Sequence, residues 1–194
     1  VDGFLSIGCG GGGHHGASWS DTETVFTNKD AWVYEDTPTT NFGDSQDLVT
    51  GYAFTGGGNE LDTYLHFDLS SIPPTATVVL AELWIHIWDT FNSYPTVYSL
   101  EAVLASWGES TITWNNQPTS TEMFTFGGPG EGFAGWYRIT HPALTALVQD
   151  WVSGGLANEG LAIIPTLSTT SYDEIDVYSS ESGDAPYLVV HYNP

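Results

Sequence analysis

Positive charge is almost missing from this chain. Lys29 and Arg138 are its two basic residues, set against 24 acidic ones, for a formal net charge of −22. Such a chain has no basic patch to hold a phosphate backbone, and its field repels nucleic acid and anionic membrane surfaces. It attracts cations instead, and it gives a trypsin-like protease little to cut. Cysteine is nearly absent as well: Cys9 stands alone, which excludes an internal disulfide framework. No apolar run approaches the roughly 18 residues of a membrane span. No Asn-x-Ser/Thr sequon occurs, so the Thr-rich stretches "TPTTN" and "TLSTTS" are the candidate places for O-linked sugar.

What is present is an apolar and aromatic chain. Of 194 residues, 41% are hydrophobic and 14% aromatic, with eight Trp, which is enough for one domain with a core and is not a disordered composition. From Asp30 onward, short alternating segments are split by Gly, Pro, Asn and Asp, the pattern of an all-β sandwich or barrel. Thr63, Leu65, Phe67 and Leu69 are expected to face a core, and Asp62, Tyr64, His66 and Asp68 to face out. In "VVLAELWIHIWD", Leu83, Ile85 and Ile87 form one face and Glu82, Trp84, His86 and Trp88 the other. "TVYSLEAVLASW", "GWYRIT", "GLAIIPT", "EIDVYSS" and "YLVVHY" are further strands.

One segment breaks this rhythm. Leu144, Leu147, Val148 and Trp151 lie at i, i+3, i+4 and i+7, one face of a helix. Thr140 or His141 suits its N-cap, Pro142 its first turn, and Gly154 or Gly155 its end. The spacing predicts one short helix covering an end of the sandwich.

Residues 1–28 differ in kind. "FLSI" and "TETVFT" are strand-forming pieces around a glycine-rich spacer that holds Cys9, His14 and His15. The composition changes near Asn28, which sets the expected boundary: an extension over 1–28 and a β domain over 29–194. Fully extended, the extension reaches up to ~90 Å, well past a domain roughly 40 Å across. The chain opens on Val1 rather than Met, as an exported protein does after signal removal and as a fragment also does.

Several stretches carry a family resemblance: "DAWVYEDTPTTNFGDSQDLVTGY", "NELDTYLHFDLSSIP", "AELWIHIWD", "WGESTITWNNQP", "LVQDWVSGGLANEGLAI" and "SSESGDAPYLVVHY". Together they cover most of Asp30 to Tyr192, in order, and they resemble the DNRLRE family of extracellular modules. The resemblance implies a jelly-roll β-sandwich, a place in secreted or cell-surface proteins, and likeness to carbohydrate-binding modules, some of which hold acidic polysaccharides. It implies no catalysis. The chain departs from the family at His66, and at Trp84 and His86, where basic residues often sit. That loss of positive charge argues against an acidic glycan.

The residues offer several candidate sites. Gly8, Gly10 and Gly13 spell G-x-G-x-x-G, but no helix pattern follows and the fold is not α/β, so a dinucleotide loop is unsupported. Cys9, His14 and His15 are soft metal ligands with no fourth at a convincing spacing. The run reads better as a hinge between strand-forming pieces. Phe4, Leu5, Ile7, Val25 and Phe26 then become a candidate linking strand that adds to a neighbouring copy and builds a homopolymer; a disordered tail or linker is the alternative. Tyr64, Trp84, His86 and Trp88 are the candidates for stacking sugar rings, or for packing or a subunit contact. Trp107, Glu109, Trp114, Asn115 and Asn116 read as a structural turn motif. Asp30, Glu35, Asp44, Glu181 and Asp184, with Asp36 and Asp47 nearby, are candidates for a structural calcium ion, a hard cation that takes clustered carboxylates. No catalytic arrangement stands out. The expected function is an extracellular, non-catalytic structural subunit linked through its N-terminal strand; the alternative is a carbohydrate-binding module of a larger secreted protein.

Overall fold

The computed structural model describes residues 18–53, 59–92, 97–166 and 173–194. Among these residues, ten strands run in the order β1 (Asp21–Tyr34), β2 (Asp47–Ala53), β3 (Asn59–Phe67), β4 (Thr77–Asn92), β5 (Val97–Val103), β6 (Ser120–Gly127), β7 (Gly135–Thr140), then the helix α1 (Pro142–Ser153), β8 (Leu161–Pro165), β9 (Asp173–Tyr178) and β10 (Tyr187–Asn193). Two 3₁₀ turns, Trp114–Asn116 and Ser180–Ser182, lie between strands. Each strand pairing is antiparallel. The molecule is a jelly-roll β-sandwich with one short helix.

Strand β1 joins the two layers. Its first half, Asp21 to Phe26, pairs with β10, and its second half, from Thr27, pairs with β3, with an irregularity between Thr27 and Lys29. One layer therefore runs β7–β4–β10–β1 and the other β1–β3–β8–β5–β6, with β9 and β2 bridging from β4 to β3. Inward residues of the first layer (Val25, Leu83, Ile85, Ile87, Leu188, Val190) meet those of the second (Leu65, Phe67, Tyr98, Leu100, Leu161, Ile163) in one core. Each such Leu or Ile contributes about 1.5–3 kcal/mol relative to exposure. The inward half of the alternation expected in β3 and β4 holds, with Leu65, Phe67, Leu83, Ile85 and Ile87 all buried, but Asp62 and Tyr64, expected to face out, are buried as well.

The helix forms where its pattern places it. The His141 side chain accepts a hydrogen bond from the Ala143 N–H, Pro142 opens the first turn, and Gly154 closes it at φ 74°, a left-handed position suited to glycine. Leu144, Leu147, Val148 and Trp151 are buried. Thr145 and Gln149 accept hydrogen bonds from the β4 backbone at Ala81 and Val78, beyond the stretch that β7 pairs.

The N-terminal expectation needs correction. Residue 28 falls inside β1, not at a boundary. Val25 is in the core and pairs with Leu188, and Phe26 pairs with Tyr187, both within this chain. Apolar residues in a strand settle onto the open edge of their own β10. Phe4, Leu5 and Ile7, with Cys9, His14 and His15, lie outside the described residues.

Candidate functional site

The outer face of the β7–β4–β10–β1 layer carries a row of large side chains. The strand registers place Phe26 opposite Tyr187, Tyr187 opposite Trp84, and Trp84 opposite Arg138. With strands spaced about 4.8 Å apart, the row spans about 14 Å. One step along β4, His86 lies opposite Trp136. Alternation puts each of these residues on the outer surface because its sequence neighbours fill the core.

The rings form a continuous platform. Trp84 stacks on Tyr187 at 6.1 Å and 13°, and Tyr187 tilts against Trp136 at 5.0 Å and Phe26 at 5.5 Å. His86 stacks on Trp136 at 4.6 Å and 15°, and also meets Tyr178. At the far end of the face, Trp19 packs on His191. Much of this surface stays open to solvent: Phe26 is 58% exposed, Trp136 40% and Trp88 38%.

Polar groups line the platform. Arg138 Nη1 donates to Glu82 Oε1 at 2.9 Å, and its guanidinium lies 5.8 Å from the centre of the Trp84 ring. His191 Nε2 is 3.8 Å from the other Glu82 oxygen. Asp184 Oδ2 lies 3.3 Å from His86 Nδ1. Burial, with Glu82 nearby, raises the Tyr187 phenol, so it stays a hydrogen-bond donor. The Trp84 indole N–H is buried and has no partner among the described residues. An aromatic surface edged by fixed donors and acceptors suits a ligand with C–H faces and many hydroxyls, which is the chemistry of a sugar.

The structure divides the expected aromatic set. Trp84, His86 and Trp88 share this face. Tyr64 does not: it sits in the other layer and is 1% exposed. The segment between β5 and β6 folds over it, with Trp107 edge-on to its ring and Gln117 Oε1 accepting from its hydroxyl at 2.7 Å. His66 is held by Asn28 and by the Asn158 carbonyl, so it too leaves the platform. Sequence reasoning missed Trp136, Tyr187, Tyr178, Arg138 and Trp19. The alternation in "GWYRIT" and "YLVVHY" carried the signal for Trp136, Arg138 and Tyr187, but not which strands lie side by side. Phe26, read as part of a linking strand, belongs here instead.

The "WGESTITWNNQP" segment is a self-bonded turn. Asn116 accepts from the Thr113 N–H at 2.6 Å and donates to the Thr111 carbonyl at 2.9 Å. Asn41 ties it down by donating to the Glu109 and Ile112 carbonyls, both at 2.7 Å.

The expected calcium ligands are also divided. Asp30 and Glu181 do come together, joined by Glu109 from the turn motif: one oxygen from each lies within 4.8 Å of the others. Asp184 belongs with His86. Glu35 accepts from the Glu60 N–H at 3.3 Å in a separate acidic group, and Asp44 is exposed and outside the cluster. Asp30 is 1% exposed. Its Oδ2 accepts from the Thr27 hydroxyl and the Ser180 N–H, both at 3.0 Å, while Oδ1 has no partner among the described residues. Burial first, and Glu181 among the other causes, push the Asp30 carboxyl up to about 6, against the pull of those two hydrogen bonds.

The tRNA3(Ser)-specific nuclease WapA of Bacillus spizizenii is 24% identical over 182 residues, 87% of this chain and 7% of the relative. The tRNA nuclease WapA of Bacillus subtilis (strain 168) is 23% identical with the same coverage. The chain thus spans 7% of the length of these curated relatives. Residues 21–192 match the model of carbohydrate-binding module family 96, a span that opens at the first residue of β1 and ends within β10, and the chain belongs to that family.

Proposed function

We propose that the chain is a non-catalytic polysaccharide-binding module of a secreted or cell-surface protein, and that its ligand lies on the outer face of β7, β4, β10 and β1. The observation that carries this reading is the cross-strand row Phe26–Tyr187–Trp84–Arg138, flanked by Trp136 and His86 and left open to solvent. Flat rings present apolar area at low entropic cost, and the Arg138–Glu82 pair beside them offers both donors and acceptors to hydroxyls.

The ligand class follows from charge. A net charge of −22 repels polyuronates and sulfated chains, and the one cation on the face is already engaged by Glu82. A neutral polysaccharide fits. The nuclease activity named for the WapA proteins belongs to chains of which this segment matches 7%. The same charge opposes tRNA here.

Native gels containing single polysaccharides, neutral and anionic, test the reading. At least one neutral glycan should retard the protein, anionic ones should not, and Trp136→Ala with Trp88→Ala should abolish the retardation. Failure of every neutral glycan, or equal retardation of the double variant, overturns it. Self-association lost in that same double variant would make the face a subunit contact.

A further inference from the structure

We propose that Asp30, Glu109 and Glu181 form a site for one divalent cation of calcium's class, which staples three distant segments of the chain. Asp30 comes from β1, Glu109 from the segment between β5 and β6, and Glu181 from the 3₁₀ turn before β10. Hard cations of this class take oxygen ligands at about 2.3–2.6 Å, so two oxygens on one ion lie at most about 5 Å apart. The separations of up to 4.8 Å meet that limit. Three carboxylates supply three to six oxygens, and water completes a shell of six to eight.

A second observation points to a ligand there. Buried polar atoms in folded proteins nearly always have a partner. Asp30 Oδ1 is fully buried and has none among the described residues, although Oδ2 of the same carboxylate has two. Nothing else in the cluster supplies positive charge to that oxygen. Lys29 attracts Glu109 electrostatically, but its ammonium is engaged by the Trp107 carbonyl at 2.9 Å and lies on the Trp107 ring at 4.2 Å. The Glu109 carboxylate accepts from the Asp30 N–H at 2.8 Å, which holds one of its oxygens over the buried carboxylate. Gly43 backs the site: a Cβ there would lie 2.2 Å from the Glu109 carbonyl oxygen, so only glycine lets the chain pass this close. The arrangement is built to keep Glu109 near Asp30, and without an ion it holds like charges together at a cost.

The site is independent of the glycan face. The test uses the full chain, stripped with chelator and dialysed into 0.15 M NaCl at pH 7.5, conditions that screen loose binding to the acidic surface. Calorimetric titration with calcium chloride should show a site of unit stoichiometry. Millimolar calcium should raise the melting temperature by about 5 °C. Glu181→Gln, on an exposed turn, should fold and lose both responses, while Glu131→Gln, on an exposed loop, should keep them. No calcium response in the native chain, or an equal response in Glu181→Gln, overturns the proposal.

Discussion

The outer faces of the two layers begin from the same pattern and end differently. On β4, Trp84, His86 and Trp88 alternate with core residues and stay on the surface. On β3, Asp62, Tyr64 and His66 alternate in the same way, yet Tyr64 ends at 1% exposure beneath Trp107 and Asp62 at 3%. The difference is a lid. The segment between β5 and β6 crosses the β3 face and packs Ile112, Trp107 and Trp114 onto Ala31, Val33, Tyr64 and Ala162 as a second, smaller core. Nothing among the described residues crosses the β4 face. Period-two alternation decides which side of a sheet a residue takes; whether that side meets water depends on segments elsewhere in the chain.

The largest effect on stability should come from breaking the covered face. Tyr64→Ala removes a buried ring that fills the second core, and should cost about 3–5 kcal/mol, read as a lower urea midpoint. Tyr64→Phe keeps the ring and loses only the bond to Gln117, so it should cost about 1 kcal/mol. If Tyr64→Ala is nearly neutral, the lid does not stay shut in solution.

Gly43→Ala comes next. The added Cβ meets backbone atoms of Glu109, which cannot swing aside as a flexible side chain would. A displaced lid should cost about 2 kcal/mol, with increased Trp exposure to a fluorescence quencher. The platform residues on the opposite layer should be unaffected, and any neutral glycan bound there should bind as before.

Acid is also distributed unevenly between the faces, and this gives a pH dependence. Asp62 lies under the covered side, where burial raises its pKa well above the ordinary value, with Glu60, Glu101 and Glu35 adding to the effect. Asp176 is pushed up to about 7 by burial and then by Glu174, Asp47 and Asp89. Both carboxyls hold a proton in the folded state at pH values where the unfolded chain, with a pKa of about 3.9, has lost it. The folded state binds more protons, so stability falls as pH rises from about 4 to 7, and is fully kept below that window. Thermal melts should therefore shift downward from pH 5 to pH 8. Asp62→Asn keeps a donor toward Glu60 and removes the charge, so it should raise stability at pH 8 by about 1 kcal/mol and flatten the profile. A profile unchanged by Asp62→Asn would mean that Asp62 is already hydrated or paired.

Much of the fold was legible in the sequence because it rests on local periodicity. Leu65, Phe67, Leu83, Ile85 and Ile87 declare their side by alternation, and the helix by its spacing, its Pro142 and its Gly154. The candidate site was legible only in part, because a face is assembled across strands. Trp84 and His86 were readable on β4, whereas Tyr187 and Trp136 join them only through registers that no single segment encodes. Asp30 and Glu181 were readable as acids near opposite ends of the domain. Glu109 was hidden inside a turn motif whose asparagines explain themselves. The domain boundary expected near residue 28 falls within β1, which changes its pairing partner there as it passes from one layer to the other.

The smallest effect on stability should carry the largest effect on binding, and it falls on the open face. Trp136 is 40% exposed and touches His86 and Tyr187 but no core residue in any ring contact. Replacing it with Ala removes two aromatic contacts on a solvated surface, so stability should change by about 1 kcal/mol or less. If the platform binds a neutral glycan, the same change removes a stacking ring from its β7 flank and takes away the ring on which His86 stacks. Affinity should fall at least about tenfold. Trp136→Phe should recover part of it, since a smaller ring keeps a stacking surface. Tyr64→Ala, on the covered face, should leave affinity untouched while costing about 3–5 kcal/mol in stability. That crossed pattern separates a binding face from a packing face, because general unfolding would lower both quantities together. Equal affinity in Trp136→Ala and the native chain would mean that exposure and stacking on this layer are surface chemistry without a ligand.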